Sequence, residues 1–589
     1  MRLLAVLALL MAVPAAAADY RARLPQDEVI YFLLPDRFDN ADPGNDRGGL
    51  VGDRLTTGFD PTDTGFYHGG DLKGITCRLD YIAGLGATAV WIAPVFVNKP
   101  VQGAPGKESA GYHGYWITDF TRVDPHFGTD ADFAALVAAA HAKGIKVYID
   151  IIANHTADVI KYRECPANDC AYRSRADWPY ARSAGGKPIN QGFAGDGDHS
   201  LANFAKLIDT GYAYTPYVPA AEARIKVPAW LNDPRFYHNR GDSTFAGESS
   251  TMGDFAGLDD LMTEDPRVVA GMIEIYGAWI DRAVDGFRID TAKHVNPEFW
   301  AAFVPAMRAR AAARGVPNFA IFGEIFTGDI DPALQAEHTR VDKLPAVIDF
   351  SFRRAVVDAV TGKGTAGFVR LFDGDALYEG GAAAAQALPT FVSNHDIGRI
   401  AHDIVATTPD RTEALRRVML AHAMLLTLRG VPTIYSGDEQ GFVGTGGDQG
   451  AREDMFASEV AEFNALLLLG TGRTTATASF DPGHPLYRTI ATLARLRVAT
   501  PALRRGAQVV RFASDAPGLF AVSRFDPVTG TEVVLAFNTS TMPLRANVEV
   551  ATRSTAFVAL VGTCPAAARA PGSIALDLPA LDYAVCAAR

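Results

Sequence analysis

The stretch DGFRIDTAKH, residues 285–294, decides the reading of this chain. Side chains in a strand alternate faces, so Phe287 and Ile289 point one way while Arg288 and Asp290 point the other. An arginine and an aspartate on one face of an otherwise apolar strand fit an ion pair on a solvated edge as well as a functional cluster. The rest of the sequence has to separate the two.

Working outward, short apolar segments alternate with helix-like ones from residue 29 to about 440. Eight candidate strands stand at 29–34, 87–95, 146–153, 284–290, 319–326, 346–352, 388–393 and 431–435. The helical segments between them carry the expected punctuation. DADFAALVAAAHAKG starts beside Thr129 and Asp130 and ends at Gly144, and DPRVVAGMIEIYGAWIDRA has Pro266 in its first turn. Eight such units with near-continuous apolar strands predict an α/β fold, a (β/α)₈ TIM barrel. One connection breaks the rhythm: about a hundred residues rich in Gly, Pro, Asp and Tyr separate Asn154 from Asp265. A structureless loop of that length is implausible, so 155–260 is expected to be an inserted domain between barrel parts 19–154 and 261–504. After residue 505, LFAVSRF and EVVLAFNTS alternate with period two, which predicts a C-terminal antiparallel β-sandwich over 505–589.

The first residues read as a targeting segment. Arg2, an apolar run over 3–13, Pro14 and Ala15 to Ala18 predict a signal peptide over 1–18, cut before Asp19. The protein is then exported, to the periplasm or the medium, and no later segment is long and apolar enough for membrane insertion. The formal net charge of −12 argues against nucleic acid or an anionic membrane as partner and suits a neutral substrate or a cation. Five cysteines in an exported chain permit disulfides. Cys165 and Cys170 would clip a local loop and Cys564 and Cys586 would tie the last strands, which leaves Cys77 as a buried free thiol.

In a barrel of this kind polar residues at the C-terminal ends of strands read as chemistry. Asp150, Asn154 and His155 follow the third strand, Arg288 and Asp290 end the fourth, Glu324 ends the fifth in FGEIF, and His395 and Asp396 end the seventh in FVSNHDIGR. Acids converging on one mouth suffer desolvation and mutual repulsion, a cost that a catalytic role explains and a structural one does not. Clustered carboxylates without a phosphate loop suggest glycosidic-bond chemistry, which needs one carboxylate at the anomeric carbon and one carboxylic acid at the leaving oxygen. Three acids holding Mg²⁺ are the competing reading.

The stretches DIIANH (150–155), GFRIDTAKH (286–294), GE (323–324) and FVSNHD (391–396) resemble, in order and spacing, the four sequence signatures of the α-amylase superfamily, glycoside hydrolase family 13. The resemblance covers nearly the whole mature chain. It implies Asp290 as nucleophile, Glu324 as general acid/base and Asp396 as the stabiliser that fixes the substrate's hydroxyls. Arg288 would hold Asp290 ionised, while its negative neighbours keep Glu324 protonated. His155 and His395 resemble the family's sugar-binding histidines, Tyr112 in YHGYW its stacking tyrosine, and Lys293 and His294 its leaving-side residues. The stretch PDRFDNADPGND (35–46) with HGGDLKG (68–74) looks like a Ca²⁺ loop of the cyclodextrin glucanotransferase and neopullulanase branches, implying Asn40, Asp42, Asn45, Asp46, the Gly69 carbonyl and Asp71 as ligands. A second site of the family would use Asn154, the His294 carbonyl and Asp260, from LDDLM (258–262), where Met262 departs from the usual pattern.

About ten residues lie between the predicted cleavage and the first strand, and about 85 follow residue 505. Neither leaves room for the extra domains of neopullulanases or glucanotransferases. The resemblance therefore implies an exported endo-hydrolase of starch or maltodextrin, an α-glucan; a monomer is expected, with the oligomeric state left open by the sequence. The alternatives are a cyclomaltodextrinase-, neopullulanase- or transglycosylase-type enzyme on the same site. A non-catalytic glucan-binding protein is argued against by the presence of all three acids.

Overall fold

A computed structural model describes residues 20–165 and 170–589, so the predicted signal segment 1–18 lies outside the described residues. Seven parallel strands form one sheet: β1 (Ile30–Leu33), β2 (Ala89–Ile92), β3 (Lys146–Ile152), β4 (Gly286–Asp290), β5 (Ala320–Gly323), β6 (Pro389–Phe391) and β7 (Val431–Tyr435), joined in the order β5-β4-β3-β2-β1-β7-β6. Every residue of β3 and β4 is buried, as expected for strands covered on both faces. Phe287 of β4 faces outward to Tyr276 on the helix Pro266–Asp281, their rings 5.9 Å apart. Arg288 and Asp290 consequently face the barrel's interior. Helix starts follow the caps in the sequence: Thr129 and Asp132 form a capping box on Asp130–Ala142, and Asp265 caps Pro266–Asp281 with Pro266 at its first position.

The sixth strand departs from expectation. Only 346–349 run extended, through single parallel bridges Gly323↔Val347 and Asp349↔Thr390. Gly323 N–H donates to Ala346 O at 3.0 Å, Ile348 N–H to Gly323 O at 2.9 Å, and Asp349 N–H to Pro389 O at 2.8 Å. These contacts close the (β/α)₈ barrel between β5 and β6. The predicted segment 346–352 is cut short because the Asp349 side chain accepts from Phe352 N–H and caps a helix, Phe350–Val360.

Among its described residues the long connection after β3 contains only short elements, and its two ends are stitched together. His155–Thr156 pairs antiparallel with Asp259–Asp260. Cys165 and Cys170 are bonded within it, and Cys564 and Cys586 are bonded near the C-terminus. Cys77 is free, but it is exposed at the end of the helix Leu72–Cys77, which corrects the expectation of a buried thiol. After residue 506 come β8 (Ala507–Phe512), β9 (Leu519–Phe525), β10 (Glu532–Asn538), β11 (Leu544–Glu549), β12 (Phe557–Val561), β13 (Ser573–Leu578) and β14 (Asp582–Ala588). They form a five-stranded antiparallel sheet, β8-β9-β10-β14-β12, and a two-stranded one, β11-β13, around a separate small core that includes Val534, Val548 and Ile574. No helix among the described residues is long and apolar enough to cross a membrane.

Candidate active site

Register builds the centre of the site. Arg288 of β4 lies opposite Asp150 of β3. Its Nη1 donates to both oxygens of Asp150, at 2.8 and 2.9 Å, and to Asp290 Oδ1 at 2.7 Å; its Nη2 lies 2.9 Å from Glu324 Oε2. One guanidinium, only 1% exposed, thus holds three carboxylates from three adjacent strands. Glu324 takes a further bond from Thr291 N–H at 3.2 Å. Thr291 pays for that aim with φ at +48°, an uncommon conformation for a β-branched residue.

The electrostatics correct one expectation. Arg288 does pull the Asp290 pKa down, but burial pushes it up, and Glu324, Asp150 and Asp396 add negative charge in the same direction. The net shift is upward. Asp150 is likewise raised, to about 7, chiefly by burial and against the pull of Arg288. In both acids burial and the repulsion of neighbouring carboxylates outweigh the pull of the one guanidinium they share.

Asp396 stands apart from Arg288. Its Oδ1 lies 3.2 Å from Arg452 Nη2 and 3.4 Å from His395 Nε2. His395 is buried, and burial together with the charges of Arg452 and Arg288 holds its pKa well below the usual value. His155 is also buried and neutral, its pKa lowered to about 3 by burial and by His294; its Nε2 has no partner, and its ring stacks on Phe255 at 5.3 Å. Lys293 and His294 follow β4 in a tight turn, Ala292–His294. Lys293 Nζ reaches Phe326 O at 3.5 Å, and His294 Nδ1 meets Ser250 O of the long connection at 2.8 Å.

The tyrosine of YHGYW is a second correction. Tyr112 is fully buried: the Arg37 guanidinium lies over its ring at 3.9 Å and Arg452 Nη1 donates to its hydroxyl at 3.1 Å, so no face is left for a sugar. Tyr115, three residues on, is partly exposed and belongs to the cluster. Its hydroxyl donates to Asp150 Oδ2 at 3.0 Å and lies 2.7 Å from His395 Nε2. Tyr115, Thr291 and Arg452 are the residues that sequence reasoning left off the site, and Asp150, read there only as a strand-end acid, is given no role. The repeated tyrosine in YHGYW and the acid opening DIIANH were the available signals for Tyr115 and Asp150.

Among the described residues no group of three or more His, Cys, Asp or Glu is arranged to hold a metal. The Asn40–Asp71 loop is built differently, from side-chain amides around one carboxylate. Asn40 Oδ1 and both amide atoms of Asn45 are buried without a partner. Asp46 accepts from Asn40 Nδ2 at 2.9 Å, and its pKa is raised to about 6 by burial and by Asp36, Asp71 and Asp42. Gly69, at φ +99°, lies so close that a Cβ there would come within 2.7 Å of Asp46 Oδ1. Orphaned oxygens beside an uncompensated carboxylate fit a hard cation. Two of the expected donors are otherwise engaged. Asp42 is partly exposed and bonds Lys73 at 2.5 Å, and Asp71 accepts from the Gly74, Ala41 and Asp42 amides as cap of the helix Leu72–Cys77. The second set fits a cation poorly. Asp260 Oδ2 lies 2.6 Å from His238 Nδ1, whose Nε2 meets Glu264 at 2.9 Å. Asn154 Nδ2 lies 3.3 Å from His155 Nδ1.

A protein-family model described as the α-amylase catalytic domain matches residues 32–467. An α-amylase of Streptomyces lividans is 49% identical over 493 residues, which is 83% of this chain and 53% of that protein. A cyclomaltodextrin glucanotransferase of Niallia circulans is 29% identical over 82% of this chain and 56% of its own length. The chain thus spans about half the length of these curated relatives. Among solved structures, an Anoxybacillus α-amylase superposes with a TM-score of 0.69 at 26% identity, covering 96% of this chain and 98% of that one. The chain belongs to the α-amylase family, glycoside hydrolase family 13.

Proposed function

We propose that the protein is a retaining glycoside hydrolase that cleaves internal α-1,4-glucosidic bonds of starch and maltodextrins by double displacement. The observation that carries this reading is the single guanidinium of Arg288 bonded to both Asp290 and Glu324, which places two carboxylates side by side at one barrel mouth. Retaining glycosidases need such a pair about 5 Å apart. The Asp290 carboxylate attacks the anomeric carbon as the glycosidic C–O bond breaks, and the leaving oxygen takes a proton from Glu324. Glu324, now a carboxylate, then takes a proton from water as that water attacks the same carbon and frees Asp290.

Asp396, His155 and His395 face the reacting sugar as hydrogen-bonding partners, and the free Nε2 of His155 suits a hydroxyl. Tyr115 supplies the aromatic face, and Lys293 and His294 lie toward the leaving side. Asn40, Asn45, Asp46 and the Gly69 carbonyl would hold Ca²⁺, whose contribution is to neutralise the loop's charge and stabilise its fold. We read 155–260 as domain B, 505–589 as domain C and 1–18 as an export signal; two disulfides suit an oxidising compartment. The similarity to glucanotransferases supports a second reading, in which a sugar hydroxyl replaces water as acceptor.

Two inversions leave the configuration unchanged, so the first product from an α-1,4-glucan is expected to be the α-anomer. Proton NMR in the first minutes, before mutarotation, reads this directly. An initial β-product would overturn the double displacement, and an active Asp290→Asn enzyme would move the nucleophile elsewhere.

A further inference from the structure

We propose that Arg452 is the positioning residue for Asp396, gripping both the backbone and the side chain of one loop so that the third carboxylate is aimed into the cleft. The proposal rests on the reading above, in which Asp396 works on the substrate. Asp396 is the outlier of the four acids. Its side chain is 35% exposed, against 11% for Asp290, 13% for Glu324 and 0% for Asp150, and Arg288 bonds only the other three. An exposed aspartate on a turn samples several rotamers unless something fixes it. The turn itself is shaped by Asn394, whose Oδ1 accepts from the Asp396 and Ile397 amides at 3.1 and 2.9 Å, but that fixes only the backbone. His395 Nε2 is already 2.7 Å from the Tyr115 hydroxyl, and its ring is neutral. Arg452 is then the cation that Asp396 touches.

Arg452 is built for the task. Its side chain is 6% exposed. Nε donates to His395 O at 3.0 Å, Nη2 lies 3.2 Å from Asp396 Oδ1, and Nη1 donates to the Tyr112 hydroxyl at 3.1 Å. Two edges of one planar fork thus hold a carbonyl and the carboxylate next to it, which a lysine's single ammonium cannot do at once. The fork is itself anchored. Arg37 Nη1 donates to the Arg452 carbonyl at 3.1 Å while its guanidinium covers the Tyr112 ring. The neighbouring Glu453 is paired with buried Arg399, which also donates to Ser436 O at 3.0 Å beyond β7. The division of labour follows: Arg288 sets the charge of three acids inside the barrel, and Arg452 sets the direction of the fourth at its rim.

The competing role is direct sugar binding, because Asp448 Oδ2 also lies 3.5 Å from Nη2 and is largely exposed. A mutant cycle separates the two. Arg452→Met, Asp396→Asn and the double variant are assayed on p-nitrophenyl maltoheptaoside, with unfolding midpoints as the fold control. Arg452→Met is expected to lose about 10- to 100-fold, mainly in kcat, as for a lost charge-assisted hydrogen bond. In the Asp396→Asn background the same change is expected to cost less than about threefold, and Arg452→Lys to recover part of the loss. Affinity for maltoheptaose, measured by calorimetry in Glu324→Gln protein, is expected to stay within about threefold on adding Arg452→Met. An equal loss in both backgrounds, or an affinity that falls by the full factor, overturns the proposal. If Arg452→Met does not fold, the cycle is run with Arg452→Lys. An active Asp290→Asn enzyme would sink the reading of the function while leaving this coupling factor measurable.

Discussion

Replacing Arg288 by methionine keeps an apolar stem of similar length and removes the one charge that three carboxylates share. Two unit charges about 4 Å apart interact by about 4 kcal/mol at an effective dielectric of 20, or about three pKa units at 1.36 kcal/mol each. Asp290 must be ionised to attack. Its pKa, already raised by burial, is therefore expected to climb by a further one to three units, and the ionised fraction at pH 7 to fall with it. The assay is the pH dependence of kcat/KM on a p-nitrophenyl maltooligosaccharide, whose leaving group needs little help from an acid. The acid limb should move to higher pH by those one to three units, and Arg288→Lys should move it less. Stability should respond with a definite sign. Carboxylates whose folded pKa is raised, here Asp150 and Asp290, stabilise the fold most below about pH 4, and that contribution disappears as pH rises through the folded value. The variant's unfolding midpoint is thus expected to drop more steeply between pH 5 and 8 than the wild type's. An acid limb that stays in place while activity falls would show that Arg288 acts by geometry and not by charge.

Other outcomes follow from features already described. A chelator should lower the unfolding midpoint and added Ca²⁺ restore it, and Asn45→Ala should abolish the difference; an unchanged midpoint with no calcium by elemental analysis would mean the loop is only a turn. Native, non-reduced protein should titrate one thiol at Cys77, and unfolding without reductant should add none; three or five would break one or both disulfide assignments. Tyr115→Ala should cost more than about 100-fold in kcat/KM, whereas Tyr112→Phe, which removes a hydroxyl bonded to Arg452 but no exposed ring face, should cost less than about tenfold; the reverse order would return the stacking role to Tyr112.

The barrel and the positions of its acids were legible because both are written locally. Alternation puts Arg288 and Asp290 on one face, apolar runs mark the strands, and Glu324 and Asp396 stand where such strands end. What escaped depends on distant residues. YHGYW offers two tyrosines, and the ring left open is chosen by Arg37 and by Arg452, the latter 340 positions away. The upward shift of Asp290 comes from burial and from acids on other strands, which no pattern around residue 290 contains. The shortened sixth strand was readable in part: Asp349 before FSFRR is a helix cap, but the apolar run on either side of it hid the signal. Cys77 sits beside an apolar segment, which suggests burial, but the helix bearing it turns that residue outward.

The short sixth strand gives the barrel a seam. Elsewhere a ladder of paired residues joins each strand to the next, but between β5 and β6 the circle is completed by three hydrogen bonds, two of them made by Gly323. Partial opening of a protein begins where fewest bonds must break, so the amides of Gly323, Ile348 and Asp349 should exchange with solvent sooner than those of β3 and β4. Glu324 is the next residue along, still tethered to Ile289 O on its other side at 2.8 Å. Opening of the seam is therefore expected to free the Glu324 carboxyl from Arg288 before the rest of the barrel melts. Heating should therefore silence the enzyme some degrees below the loss of its helical signal.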